Sequence, residues 1–335
     1  MSLKYQVSSR LTMMTKYNAR ARTLVSFLLA SSLPMIFCGP KPLTYQALLI
    51  GSVGDVPFSD AIWTTKLDGS RLGRVFTPRA GESFLAAWGE CTSGPLIVVV
   101  HKASEAGTKD VLWIADDRFH LLRPLADRAK NRGQAYPSLS PDEHSVAYVA
   151  APRLGASPAI WIHDIGTDTD EKISWPYGSG FWDTSPEWTD NGGSVLFIRG
   201  HRIRSGIETE LMVVDIDSKQ NRTILGTAMS PVAFAISPDG SRMIAIERDG
   251  IQIYTIDGRP LEHVADWKAL PAGVYQGSEV VWLPSPDRAV FAMRDRSAKR
   301  SMSQLFSIRL DTGHTAKLCR VPGRVTSIAW LKLPK

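Results

Sequence analysis

Six short apolar runs recur along the chain at a nearly constant spacing. They are rich in β-branched and small apolar residues and are bounded by turn residues, a pattern typical of β-strands. The second residues of the runs lie 50, 49, 49, 48 and 47 positions apart. Such regular spacing predicts a repeat architecture rather than a set of unrelated hairpins. These second residues are Ala47, Ile97, Val146, Val195, Met243 and Val290.

Each repeat carries further strand and turn signals. A turn of the Ser-Pro-Asp-Gly type precedes the apolar run, as in "ISPDGSR" from Ile236. Proline fixes φ in such a turn, aspartate accepts hydrogen bonds from the backbone, and glycine tolerates a positive φ. A second strand follows the run, as in "AIWIHDIGT" from Ala159, and then a shorter one, as in "EKISW" from Glu171. With the strand before the turn, each period holds four antiparallel strands.

The repeats predict an all-β fold, a six-bladed β-propeller with four-stranded antiparallel blades. The last segment, "VTSIAWLK" from Val325, has the character of an innermost strand, but no hairpin follows it. The first repeat, which begins at Leu43, lacks its innermost strand. We therefore expect the C-terminal strand to complete blade one and close the ring.

The turn and the strand that ends in Asp-Gly resemble the WD-like propeller repeats of TolB proteins and of the non-catalytic domain of prolyl oligopeptidases. The resemblance extends over about residues 43 to 332. It implies a propeller fold and leaves the function open, because propellers serve many unrelated activities. We expect neither the α/β domain that precedes the propeller in TolB proteins nor the hydrolase domain of the peptidases.

The basic charge of the chain is concentrated at its N-terminus. The net charge is +6, and residues 1–42 contain six Lys or Arg residues and no Asp or Glu, so the remainder is neutral. This distribution argues against nucleic acid as a partner. The apolar run "LVSFLLASSLPMIF" from Leu24 follows, and it predicts a signal peptide. Residues 1–42 are predicted as a cleaved signal, an anchor lipidated at Cys38 or an uncleaved membrane anchor, and residues 43–335 as the propeller. A buried N-terminal strand or helix is the remaining alternative.

No portable catalytic motif is found in the sequence. It contains no Gly-x-Ser-x-Gly elbow, no His-Glu-x-x-His, no Walker loop and no paired Cys-x-x-Cys. His101 and His201 begin equivalent loops in blades two and four, but two ligands do not make a metal site. We predict no catalytic residues, no metal and no cofactor, and the sequence favours a binding protein over an enzyme.

One propeller face receives the loops between the second and third strands and the links between blades. These loops contain many arginines and aromatic residues, which interface hot spots favour. Blade five contributes only the short loop "RDG" from Arg248, so we expect a cleft above it, between blades four and six. The candidate binding residues are Arg199, His201, Arg202, Arg204, Arg294, Arg296, Lys299, Arg300, Trp182, Trp267 and Tyr275.

Three functions are compatible with the sequence. The first is a monomeric propeller that is exported to the periplasm or cell envelope. It binds a protein or peptide partner through the basic, aromatic face, and an acidic partner would suit the basic residues of that face. The alternative is a metal-assisted lyase or hydrolase that acts on an anionic carbohydrate at the channel mouth. A structural spacer in a larger complex is a third possibility. The sequence does not identify the ligand.

Overall fold

The computed structural model describes residues 47–53, 61–76, 82–88, 96–104, 107–115, 121–125, 132–151, 155–266, 275–295 and 302–331. All of them belong to one compact unit, Pro42–Lys335. The predicted signal or anchor, with Cys38, lies outside them. Among the described residues, a helix with the length and hydrophobicity to span a membrane is not found.

Twenty-four strands form six four-stranded antiparallel sheets within the described residues. Each of the first three sheets corresponds to one of the first three repeats. Sheet 1 has the order β24-β1-β2-β3, sheet 2 consists of β4 to β7, and sheet 3 of β8 to β11. The strands are β1 Ala47–Val53, β2 Ala61–Lys66, β3 Gly73–Phe76, β4 Glu82–Trp88, β5 Leu96–Ser104, β6 Gly107–Ala115, β7 Leu121–Pro124, β8 Arg132–Leu139, β9 Ser145–Ala151, β10 Ala159–Asp164 and β11 Thr169–Lys172.

The other three sheets contain consecutive strands, and β24 returns to sheet 1. Sheet 4 consists of β12 to β15, sheet 5 of β16 to β19, and sheet 6 of β20 to β23. Their strands are β12 Phe181–Trp188, β13 Ser194–Ile203, β14 Gly206–Asp215, β15 Asn221–Leu225, β16 Ala233–Ile236, β17 Arg242–Ile246, β18 Gly250–Thr255, β19 Pro260–Asp266, β20 Tyr275–Trp282, β21 Arg288–Asp295, β22 Met302–Arg309, β23 Thr315–Pro322 and β24 Arg324–Leu331. The predicted all-β class with four-stranded antiparallel units is confirmed.

The core lies between neighbouring sheets, which explains why the apolar runs show little polar alternation. In β9, Val146 and Tyr148 pack against sheet 2, whereas Ala147 and Val149 pack against sheet 4. Successive residues of a strand point to opposite faces, so a strand whose two faces are both buried must be apolar throughout. The runs in β13, β17 and β21 divide in the same way.

In sheets 3 to 6, the turn before the apolar run is fixed by its polar side chains. In sheet 5 the Ser237 hydroxyl donates to Asp239 over 2.5 Å, and the same carboxylate oxygen accepts the Ser241 amide over 3.1 Å. In sheet 4 the accepting oxygen belongs to Asn191, and Asp190 stands where the turns of sheets 3, 5 and 6 have proline. These contacts fix the hairpin that positions the next two strands.

We call β24, β4, β8, β12, β16 and β20 the first strands of sheets 1 to 6. Each of them lies beside the first strands of the neighbouring sheets. Contacts join β24 to β4, β4 to β8, β8 to β12, β12 to β16, β16 to β20 and β20 to β24. Several of these strands contain a β-bulge, which shifts the register between Thr184 and Glu187 in β12 and between Ala135 and Ser138 in β8. At these bulges Tyr136 and Ser185 adopt φ of 49° and 52°.

Candidate functional site

The described candidate residues lie in sheets 4 and 6. Trp182 is on β12, and Arg199, His201 and Arg202 are on β13. Arg204 lies in the turn between β13 and β14, and both Arg202 and Arg204 are exposed. In sheet 6, Tyr275 begins β20 and the half-buried Arg294 lies near the end of its partner β21. The candidates Trp267, Arg296, Lys299 and Arg300 lie outside the described residues.

The link between sheets 3 and 4, residues 173–180, packs against the β13–β14 hairpin. The rings of Phe181 and His201 stack with centroids 4.9 Å apart, and Tyr177 meets Phe181 edge to face at 6.2 Å. The Arg202 amide donates to the Gly180 carbonyl over 3.1 Å. The structure thus brings together two segments that the sequence assigns to the same face, "WPYGSGFWDTS" and "RGHRIRSGIE".

Arg199 is a buried residue, which corrects the expectation that it lies on an exposed loop. Its side chain is 1% exposed, and it pairs with Asp183, which is 0% exposed. Nε donates to Oδ1 over 2.7 Å and Nη2 donates to Oδ2 over 2.9 Å. The physical reason is that β13 continues as far as Ile203, so Arg199 lies inside the strand.

A buried hydrogen-bond network fixes this ion pair to the neighbouring sheet. The Ser174 hydroxyl donates to Asp183 Oδ2 over 2.6 Å and accepts the Ile160 amide over 2.7 Å. The Asp183 amide donates to the Pro158 carbonyl over 3.0 Å. The carboxylate is therefore held by Arg199 of sheet 4 and by Ser174 of the link, which is itself bonded to Ile160 of sheet 3. Such further hydrogen bonds are the condition under which a buried charge pair is tolerated.

One nitrogen of the Arg199 guanidinium remains without a hydrogen bond. Nη1 is buried and has no partner. The Tyr177 ring covers the guanidinium, 4.7 Å from Cζ, while Phe197 packs against it at 5.5 Å. Burial alone would lower the pKa of Arg199, but the hydrogen bonds and charge of Asp183, with a smaller effect of Tyr177, raise that pKa above its ordinary value. The guanidinium stays charged at any physiological pH.

Trp182 lies flat against the backbone of the next strand. A Cβ atom on Gly200 would lie 2.4 Å from Trp182 Cζ2, so only glycine leaves room for the indole ring. Gly200 is the direct cross-strand partner of Trp182. The sequence analysis named Trp182 as a candidate binding residue of the loop face, and in the structure its side chain is half buried.

Large exposed apolar side chains concentrate beside this site. Among the described residues, five of the six large exposed apolar side chains lie in links between sheets or in the β13–β14 hairpin. The sixth is Leu261 on β19. The Thr209 and Ser230 hydroxyls, 3.3 Å apart, join the hairpin to the link between sheets 4 and 5. We call the surface formed by links 173–180 and 226–232 and by the β13–β14 hairpin the linker face. Its exposed apolar residues are Trp175, Tyr177, Ile207, Met229 and Val232.

A second group of titratable residues lies on the first strands of three sheets. Burial raises the pKa of Glu279 on β20 well above its ordinary value, and the charge of Arg324 on β24 opposes this shift. Burial also raises the pKa of Tyr136 on β8, and the charge of Glu279 raises it further. Sequence analysis missed Glu279, because nothing in the local pattern shows that β20 faces β8 and β24.

The described residues contain no group of three His, Cys, Asp or Glu side chains that would hold a metal ion. His201 Nε2 lies 3.4 Å from Glu208 Oε2 and its ring stacks on Phe181. The side chain of His101, the other half of the pair noted in the sequence, lies outside the described part of the chain.

No family model matches the sequence and no curated protein matches it. TolB from Acinetobacter baumannii superposes with a TM-score of 0.60 at 15% identity, covering 85% of this chain and 66% of that one. A chain of the nidogen/laminin complex superposes with a TM-score of 0.59 at 9% identity, covering 85% and 98%. A TolB of Agrobacterium tumefaciens gives 0.57 at 17% identity, covering 83% and 90%.

The fold is a TolB-like β-propeller. At these identities the likeness shows the fold alone, and the chain spans about two thirds of the Acinetobacter TolB chain. The resemblance indicated by the Ser-Pro-Asp-Gly turns is thereby confirmed, as is the propeller arrangement of four-stranded antiparallel blades. What this TolB-like propeller binds has to be argued from its own surface.

Proposed function

We propose that the chain is an exported cell-envelope propeller that binds a protein or peptide partner, without catalysis, through the linker face. In this proposal the six sheets are six blades, and β24 closes the ring by completing blade one. Export rests on the basic start and the apolar run of residues 1–42, which predict a signal peptide or an anchor.

The strand pairings support the closed ring. Because β24 pairs with β1 from Ala47–Leu331 to Val53–Arg324, the last strand lies at the edge of the first sheet. The first strands contact one another in a cycle that runs through all six sheets. Arg242 of sheet 5 stacks on Trp282 of sheet 6 with Cζ 5.3 Å from the ring centroid. Such contacts are what a radial arrangement of blades requires.

The observation that carries the binding proposal is the clustering of exposed apolar side chains on the linker face. Soluble proteins rarely expose contiguous apolar surface unless it is an interaction site. Trp175 and Tyr177 lie on one link, Ile207 lies on the adjoining hairpin, and Arg202 and Arg204 lie at the end of the same hairpin. Aromatic residues and arginine are the residue types that dominate binding energy at protein interfaces.

The structural neighbours are compatible with this proposal. Two of them are TolB proteins, and the third is part of a complex of nidogen with laminin. None of the three neighbours shares more than 17% of the sequence, so nothing about the residues of the linker face follows from them. The proposal therefore rests on the surface itself and not on the neighbours.

The test is affinity capture from an envelope fraction with the purified protein as bait, followed by quantification of the retained proteins. We expect the double substitution Trp175→Ser, Ile207→Ser to lose a captured protein that the wild type and the control Leu261→Ser both retain. Leu261 is equally apolar and exposed, but it lies on the outer strand β19. Replacing Arg202 and Arg204 by alanine should weaken the same capture and reduce its dependence on salt. If all variants capture the same proteins, the linker face is not the binding surface.

A further inference from the structure

The geometry points to a peptide subsite at Arg199, in which Nη1 donates to a backbone carbonyl of the bound peptide and the Phe181 and His201 rings contact its neighbouring apolar side chain. This inference rests on the proposed function and specifies the ligand chemistry of the linker face.

Arg199 has one buried donor nitrogen that no protein group accepts from. Nε and Nη2 of Arg199 are occupied by the two carboxylate oxygens of Asp183, at 2.7 and 2.9 Å. Nη1 is buried and has no acceptor. A buried donor left unpaired is unfavourable, and in native structures such a group calls for a specific explanation. An acceptor brought by a ligand would satisfy it.

The Tyr177 side chain covers this donor. Tyr177 lies above the guanidinium, yet 73% of the residue is exposed. It is followed by Gly178 and Gly180, which adopt φ of 131° and 95° and have open space where a Cβ would lie. The Ser157 hydroxyl donates to the Gly178 carbonyl over 3.0 Å. The subsite requires the Tyr177 ring to turn away from Arg199, and the exposure of that ring and the open space around Gly178 and Gly180 leave room for this movement.

Charge selects a neutral acceptor. The bidentate contact with Asp183 already balances the positive charge of Arg199. A ligand carboxylate at Nη1 would leave an excess negative charge in a desolvated site, which is strongly unfavourable. A peptide carbonyl adds no charge and accepts one hydrogen bond. Acidic groups of a partner would therefore bind the exposed Arg202 and Arg204 and not this subsite.

The surroundings favour a peptide over a carbohydrate. Phe181 and His201 lie two residues from Asp183 and Arg199 on the paired strands, so their stacked rings share a sheet face with the ion pair. Ile207, Met229 and Val232 extend the surface with exposed aliphatic groups. Aliphatic and aromatic surface suits apolar side chains, whereas sugar hydroxyls need several further polar partners.

The experiment follows the arginine side-chain NMR signals of the purified protein. Protein labelled with ¹⁵N-arginine is titrated with N-acetyl-phenylalanine methylamide, and the Arg199 signals are assigned by their loss in Arg199→Lys, which keeps a positive charge opposite Asp183. We expect saturable shifts of the Arg199 signals. We also expect at least threefold weaker binding of the methylamide in Phe181→Leu. Its binding should be tighter in Tyr177→Ala, because the Tyr177 ring no longer competes for the space above the guanidinium.

Two further probes decide the ligand class. N-acetyl-phenylalanine, which has a free carboxylate, and methyl glucoside should each shift the Arg199 signals less than the methylamide does. Equal or larger shifts with the carboxylate or the glucoside would overturn the subsite, as would the absence of any Arg199 shift with the methylamide. If the methylamide fails while Trp175→Ser, Ile207→Ser still loses a captured partner, the subsite is wrong and the linker face stands. If the capture is unaffected while the methylamide binds, the proposed function fails and the subsite stands.

Discussion

Asp183 and Arg199 face each other directly across β12 and β13, and their side chains form a buried bidentate ion pair. A pair of this kind is costly to desolvate, and its favourable geometry serves mainly to offset that cost. In this protein the ion pair fixes the position of the Arg199 guanidinium beneath the linker face. The Ser174 hydroxyl ties the same carboxylate to the link between sheets 3 and 4.

Removing one partner of this pair should destabilise the protein strongly. Asp183→Ala leaves the Arg199 charge buried without compensation, and we expect a loss of about 3–5 kcal/mol in the free energy of unfolding. Urea unfolding followed by tryptophan fluorescence measures it. The double substitution Asp183→Leu, Arg199→Met should recover most of the stability, because it removes both charges and leaves no buried ion without a partner.

The matched control is the exposed pair Arg309–Asp311. Its guanidinium and carboxylate are 2.6 Å apart, but both side chains are about half exposed. We expect Asp311→Ala to leave the urea midpoint unchanged, since solvent screens exposed pairs. Equal effects of Asp183→Ala and Asp311→Ala would contradict the buried assignment of Arg199.

A second prediction concerns the contact between Trp182 and Gly200. Gly200→Ala places a methyl group where the indole ring lies, so either the ring or the strand must shift. We expect a loss of about 1–3 kcal/mol and a red shift of Trp182 emission, compared with a Trp182→Phe background. Gly193→Ala is the control, because its Cβ would be 3.5 Å from Asn191 Oδ1, an ordinary contact. An unshifted spectrum in Gly200→Ala would show that Trp182 is not held against β13.

The sequence predicts the repeat pattern of the fold well, because that pattern follows from local rules. The apolar run of β9 had to be buried on both faces, and the turn at Asp239 needs residues that accept backbone hydrogen bonds. The site was harder to predict. The pairing of Asp183 with Arg199 depends on the register of β12 ahead of its bulge, and on a β13 strand that continues beyond the apolar run. Neither feature has a signature in the local sequence.

The pH dependence of stability should have opposite signs at two carboxyl groups. Burial raises the pKa of Glu279 well above its ordinary value of 4.5, against the effect of Arg324. Its contribution to stability is therefore fully present below its unfolded pKa and is lost as the pH rises through its folded pKa. We expect Glu279→Gln to gain stability relative to the wild type as the pH is raised from about 4.5 to neutrality.

Asp239 provides the opposite case. The Ser237 hydroxyl and then the Ser241 amide lower the pKa of Asp239 to about 2 from 3.8. Its contribution is present above pH 3.8 and is lost as the pH falls through about 2. Asp239→Asn should therefore be less stable than the wild type at neutral pH, and the difference should shrink in acid. Thermal unfolding of both variants between pH 2 and 8 measures the two trends, and trends of the same sign would refute the assignment.

The C-terminal strand supplies the last prediction, which tests the closure of the ring. Val325 and Ile328 of β24 are buried in the core between sheets 6 and 1, together with Leu48 and Ile50 of β1. Removing residues 324–335 exposes that core and leaves β1 without one partner. Burial of each large apolar side chain contributes about 1.5–3 kcal/mol, which is a substantial part of the stability of a whole domain.

We expect the chain that lacks residues 324–335 to lose cooperative thermal unfolding and to bind a hydrophobic dye at room temperature. The chain that lacks only residues 332–335 should behave like the full-length protein, because all of the β24 pairing with β1 lies between Arg324 and Leu331. A peptide of residues 324–335 added to the shortened chain should restore part of the transition, since the exposed edge of β1 can accept it. Cooperative unfolding of the shortened chain at the full-length midpoint would show that β24 does not close the ring.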